Sequence, residues 1–153
     1  MKTVLSTLFR SAPLPLIRAG LWAANAKFNV GVVGAFFNPA GRVLVLRHVY
    51  RRRWPWGLPA GYLAAGEVPE AGMLRELKEE TGLDGRVDRI LSVTAVHARH
   101  IEIVLSGAVE ADHVAARSAE IYDATFCDPF NLPAAIQPNH IPIVRALAEA
   151  RRA

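Results

Sequence analysis

A single cysteine, Cys127, in 153 residues excludes a disulfide framework and a multi-cysteine zinc site. No motif surrounds it, so a buried structural thiol is expected rather than a nucleophile. Long apolar runs are missing too. Residues 12–26 are interrupted by Pro13, Pro15 and Arg18, which leaves no span for a bilayer and no clean signal-peptide core. A cytoplasmic location is therefore expected. There are no repeats, low-complexity tracts or linkers, and the length suits one domain with a proper core. Acid is absent from the front of the chain. Residues 1–66 hold nine Lys/Arg and no Asp or Glu, whereas residues 67–153 hold nine Lys/Arg and fourteen Asp/Glu. A basic half beside an acidic one suits a polyanionic substrate, but nucleic acid or anionic lipid could use the same charge.

What is present reads as a globular α/β chain, with 52% hydrophobic and 21% charged residues. Residues 1–27 form a basic N-terminal extension. Leu5, Leu8, Leu16, Ile17, Leu21 and Trp22 suggest one or two short amphipathic helices broken around Pro13-Leu14-Pro15. Packing of their apolar face against the domain or a partner subunit is expected ahead of contact with a membrane surface. A homodimer stays open on that ground. Residues 28–153 form the domain proper. Phe28–Phe37 and Arg42–Val49 read as a hairpin of strands joined by the turn Asn38-Pro39-Ala40-Gly41. Val87–His97, Ile101–Val109 and Glu120–Asp128 read as further strands, and Ile141–Arg152 as an amphipathic helix. Strands on either side of one central helix imply a mixed sheet covered on both faces.

The central helix carries the chemistry. Pro69 suits a first turn, Glu67 and Glu70 sit where negative charge is favoured, and Gly82 is placed to end the helix. The spacing predicts a helix over 69–81. Glu76, Glu79 and Glu80 then share one face, with Leu74, Leu77 and Ala71 turned away toward a sheet and Met73 at the border. Gly72 reads as tolerated near a helix start. Three like charges on one face repel, and a divalent cation with hard oxygen ligands offsets that most directly. Ahead of the helix, Trp56-Gly57-Leu58-Pro59-Ala60-Gly61 reads as an irregular loop.

From Gly61 to Leu83 the chain reads Gly61-x5-Glu67-x7-Arg75-Glu76-Leu77-x-Glu79-Glu80-x-Gly82-Leu83. This resembles the Nudix box at every specified position. The resemblance covers roughly residues 28–150 and implies an α/β/α sandwich with a mixed β-sheet. It also implies an Mg²⁺-dependent hydrolase of phosphoanhydride bonds, with Mn²⁺ as a substitute. By resemblance the Gly61 carbonyl, Glu76 and Glu80 are metal ligands. Glu79 is a further ligand or the general base, Arg75 orients carboxylates, and Glu67 is part structural partner, part outer-shell metal residue. A glutamate beyond the box often adds a ligand or the base in this family. Glu120 is placed for that, with Glu102 and Glu110 competing. Ala60 stands where many members carry glycine, outside the box proper.

The substrate is less legible. Tyr50-Arg51-Arg52-Arg53-Trp54 precedes the box loop, and its arginines suit phosphate while its aromatics suit a base. The bland alternative, a basic surface loop, carries equal weight. Markers that accompany ADP-ribose and diadenosine polyphosphate hydrolases are absent. Ala98 stands where the first would be a proline, and the first downstream tyrosine is Tyr122. His97 and His100 read first as surface or structural histidines. The expected substrate is a nucleoside diphosphate linked to another moiety. A nucleotide sensor without turnover and an RNA 5′-end pyrophosphohydrolase are the alternatives, with nucleic acid less favoured.

Overall fold

The computed structural model describes residues 13–152. Its central strand, β1 (Asn29–Phe37), feeds two cores at once: Val32 and Phe36 face one, and Val33, Ala35 and Phe37 the other. β2 (Val43–His48) does the same, with Leu44 and Leu46 on the first side and Val43 and Val45 on the second. Strands buried on both faces read as unbroken apolar runs, which is how these two appear in the sequence. Then follow β3 (Trp56–Gly57), β4 (Ala60–Tyr62), α2 (Pro69–Thr81), β5 (Gly85–His97), β6 (His100–Val109), β7 (Ile121–Cys127) and α3 (His140–Ala150). α1 (Leu14–Ala24) precedes them all.

α2 covers the first core with Met73 and Leu77, and α3 the second with Val144, Leu147 and Ala148. Full burial of Met73 and Leu77 contributes about 1.5–3 kcal/mol each. The result is an α/β/α sandwich around a seven-stranded mixed sheet, in the order β3-β2-β1-β6-β5, with β4 on β1 and β7 on β2. β1 runs parallel to β6 from Asn29↔His100 to Phe37↔Ala108; the other pairings are antiparallel.

Several expectations need correction. The hairpin of β1 and β2 closes at one residue pair, Phe37↔Val43, and then splays. The segment after β2 fills the opening: β3 pairs with β2, and β4 pairs with β1 through Val33↔Ala60, Val32↔Gly61 and Gly31↔Tyr62. The box loop is thus two short strands built into the sheet, not an irregular excursion. Backbone groups so close to the core must be paired, and the neighbouring strands supply the partners.

α2 has the predicted bounds. It starts at Pro69, with Glu70 in its first turn, and stops at Gly82, whose φ of 76° is left-handed and whose N–H donates to the Lys78 carbonyl. Its buried face is rotated from expectation, however. Met73 lies in the core, Ala71 is exposed, and Glu80 shares the buried side with Leu77. Gly72 is more than tolerated. A methyl group there would strike Leu63 and approach Glu67 Oε2 to 3.0 Å. The bare α-carbon lets the preceding loop close on the helix.

No residue of α1 is buried. Leu5 and Leu8, expected in an earlier helix, lie outside the described residues.

Candidate active site

Gly61 sits on β4 in mid-sheet, and Glu76 reaches it from α2. A methyl group at residue 61 would overlap the Glu76 carboxylate, so the glycine is what lets that carboxylate lie against the strand. Glu80, one turn further along α2, is 7% exposed. Its Oε2 is buried with no hydrogen-bond partner. Burial first, and the charge of Glu76 second, push its carboxyl up to about 8. Glu79 is the exposed member of the three.

Arg75 fixes this arrangement from outside the cavity. Its Nε and Nη2 donate to Oε1 and Oε2 of Glu67, both at 2.9 Å. Nη1 donates to Glu76 Oε1 at 2.8 Å, and to Glu79 Oε2 at a longer 3.4 Å. Nη2 also reaches the Tyr62 carbonyl at 2.9 Å. Glu67 in turn accepts the Ala64 N–H at 2.9 Å. The Arg75 hydrogen bonds, then the Ala64 amide, hold the Glu67 carboxyl down at about 2. One guanidinium therefore ties the loop before α2 to the acids on it.

These acids open onto a cleft of about 710 Å³. Gly61, Glu76, Glu79 and Glu80 line it together with Glu102 of β6 and Glu120, just before β7. Arg51 lines the same cleft; its Nη1 donates to Gln137 Oε1 at 2.9 Å, and its charge acts on Glu80 against the effect of burial. Tyr50 and the pair Tyr62–His100 line it as well, the two rings packed edge to face at 5.7 Å. Gly31 of β1 makes room for this pair, since a methyl group there would meet His100 Cε1 at 3.0 Å.

Of the residues singled out in the sequence, the cleft thus gathers Gly61, Glu76, Glu79, Glu80, Glu120, Tyr50 and Arg51. Glu67 and Arg75 lie behind it. Arg52 and Arg53 are exposed and Trp54 half-buried, none of them on the cleft; the Arg53 guanidinium lies over the Trp54 ring at 5.4 Å. His100 belongs to the cleft rather than to the bland surface, whereas His97 is exposed. Glu110 is exposed and off the cleft. Cys127 is half-buried, its thiol pushed up to about 11 by burial, which leaves it protonated at neutral pH.

Gln137, His140, Ser118 and Tyr62 also line the cleft and were not found from sequence. His140 is 2% exposed, and its Nδ1 accepts the Leu58 N–H at 3.0 Å, pinning the segment that leads to Gly61. Burial first and Arg51 second lower its pKa to about 4. His48 is equally buried, with neither ring nitrogen paired, and burial, then Arg51, lowers it to about 3. A glycine in a valine-rich strand was a signal for Gly31. No local signal marks Gln137 or His140, which arrive from the far end of the chain.

Among the described residues, no three His, Cys, Asp or Glu side chains stand as a ready-made metal cage. The donor set still fits a hard divalent cation. Glu80 has an orphaned buried oxygen, Glu76 lies beside it, and both face a cleft rich in further carboxylates.

A NUDIX domain model matches residues 27–147. The chain is 32% identical over 118 residues to a MutT-like protein of Streptomyces ambofaciens, covering 65% of this chain and 75% of that one. It is 43% identical over 68 residues to an RNA pyrophosphohydrolase of Blochmanniella pennsylvanica, covering 44% of this chain and 41% of that one. Among solved structures, a NUDIX hydrolase from Nitrosomonas europaea superposes with a TM-score of 0.72 at 18% identity, over 84% of this chain and 75% of that one. That last likeness bears on the fold.

Proposed function

The chain belongs to the Nudix family of hydrolases, and from that premise we propose that it is an Mg²⁺-dependent pyrophosphohydrolase. Its substrate would be a nucleoside diphosphate linked to a further moiety, cleaved at the phosphoanhydride bond. The observation that carries this reading is the buried Glu80 carboxylate, with an unpaired oxygen and an ionisable neighbour in Glu76. Leaving such a group unpaired costs stability that a binder without metal would have no reason to retain.

Gly61 through its carbonyl, Glu76 and Glu80 would hold Mg²⁺, or Mn²⁺ in its place, with Glu79 and Glu120 in reach of the same cleft. Such an ion, when bound, neutralises diphosphate charge and acidifies water. Glu79, the most open of the three helix acids, takes the proton from the attacking water. Arg75 positions Glu76 and Glu79 through the bonds described, and Glu67 anchors Arg75. Arg51, held by Gln137 and lying within the electrostatic reach of Glu80, meets the phosphate in the same cleft. Tyr50 offers a face to the base. Arg52, Arg53 and Trp54, set outside the cleft, are left for contacts with a larger leaving group. A cytoplasmic setting suits the lone reduced thiol.

A second reading, RNA 5′-end pyrophosphohydrolysis, is favoured by the local likeness to the Blochmanniella enzyme and by the arginines beside the cleft. One panel decides between them: nucleoside triphosphates, nucleotide sugars, ADP-ribose, dinucleoside polyphosphates, CDP-alcohols and 5′-triphosphorylated RNA, each with Mg²⁺ and Mn²⁺. Metal-dependent turnover of a free nucleotide class supports the main reading. Turnover of RNA alone, falling steeply with salt, supports the second. Tight nucleotide binding without turnover by folded protein would make the chain a sensor and overturn both.

A further inference from the structure

α1 is an apolar helix with no buried residue. Leu14, Leu16, Leu21 and Trp22 are 71%, 66%, 50% and 72% exposed. Leu14, Ile17 and Leu21 recur at helical spacing and form a stripe, with Arg18 and Trp22 along one border. Exposed apolar surface gathered on one element marks a contact. The charge around it says with what. Residues 1–27 carry Lys2, Arg10, Arg18 and Lys27 and no acid, and none follows until Glu67. The Lys27 ammonium lies over the Trp22 ring at 4.2 Å, so cation and interfacial aromatic occupy one patch.

We propose that α1 docks the protein on an anionic membrane surface, lying in the plane of the headgroups. Eleven residues make a helix of about 16 Å, well short of the hydrocarbon thickness of about 30 Å. The helix lies on the bilayer and does not cross it. Arg18 reaches up to the headgroups while Leu14, Ile17 and Leu21 enter the acyl boundary, and Trp22 takes the interface position that indole favours. A second copy of the chain is a poorer occupant, because two such extensions would bring like charge together. RNA is poorer as well: it would leave the leucines uncovered.

Along the chain the apolar surface continues into Phe28, which lines a shallow cleft with Val30, Tyr62 and Leu63. Tyr62 also lines the active-site cleft, so the docked end of the domain adjoins the mouth of that cleft.

The test is co-sedimentation of the full chain with two kinds of vesicle, phosphatidylcholine alone and phosphatidylcholine mixed with phosphatidylglycerol. Binding to the anionic vesicles, weakened by salt, is expected. The double variant Leu21→Glu, Trp22→Glu should lose at least about tenfold in vesicle affinity. Its circular dichroism melt and its turnover of a water-soluble substrate should stay at wild-type levels, since Leu21 and Trp22 are 50% and 72% exposed. Equal binding to both vesicles, or none to either, overturns the proposal. So does a dimer in light scattering that the double variant dissociates, or capture by single-stranded RNA in place of vesicles.

Discussion

The carboxylate of Glu76 occupies the space that a side chain at residue 61 would fill. Two residues fifteen apart in sequence, one on a strand and one on a helix, are fitted to each other with no room for a methyl group. Both residues thereby line the same cleft.

Gly61→Ala follows directly. The alanine must displace Glu76, and a displacement near 1 Å at a reacting centre costs about a hundredfold in rate. Steady-state kinetics on the best substrate of the panel should show that fall in kcat. A circular dichroism melt should show the sheet intact.

Glu79→Gln keeps the size of the side chain and removes its basicity. Turnover should fall by about two to four orders of magnitude if this residue takes the proton. Metal affinity, followed by calorimetry with Mg²⁺, should change little, because Glu76 and Glu80 are untouched. Chelation by EDTA should abolish wild-type turnover, and added Mg²⁺ should restore it. A variant with wild-type kcat would move the base elsewhere, Glu120 being next.

Arg75→Lys keeps the charge and loses the fork. An ammonium cannot bridge both oxygens of Glu67, Glu76 and the Tyr62 carbonyl together, as Arg75 does. Partners that orient ligands typically contribute about 10- to 100-fold. That loss is expected in kcat and in apparent metal affinity, with KM for the nucleotide nearly unchanged.

Two buried histidines set an acid limit on stability. The folded-state pKa values of His48 and His140 lie at about 3 and about 4, below the ordinary 6.5. Above pH 6.5 both states are neutral at these positions and no penalty applies. As pH falls below 6.5 the unfolded chain takes up protons that the folded chain refuses, so stability falls until the folded-state values are reached. Each histidine costs about 1.4 kcal/mol per pH unit within that window. Glu80 works the other way over the same range. With its carboxyl at about 8, the folded chain binds a proton that the unfolded chain does not, so it offsets one of the two histidines. Urea melts at pH 7, 6 and 5 should show the net decline. His48→Phe, which removes two unpaired buried nitrogens, should flatten it without loss of stability at pH 7. His140→Leu should flatten it too, but at a cost of about 1–3 kcal/mol at every pH, because the Leu58 N–H loses its acceptor.

What the sequence determined on its own is whatever depends on local spacing. Pro69 and Gly82 bound α2 because one lacks an N–H that a first turn does not need and the other accepts a left-handed φ. Glu76, Glu79 and Glu80 fall together because a helix repeats every three to four residues. The reach of Arg75 back to Glu67 follows from the same short range. The strands of β1 and β2 were legible from their valines, leucines and phenylalanines. Tertiary structure decided what depends on distant partners. The splaying of β1 from β2 and the insertion of β3 and β4 between them come from pairing energies across the sheet, which no local window contains. Met73 in the core and Ala71 in solvent were settled by how α2 rolls against that sheet. Gln137 and His140 reach the cleft only because α3 packs on the opposite face and carries its leading loop to Arg51 and Leu58. Spacing along the chain names the acids; the packing of two layers on one sheet chooses what stands across from them.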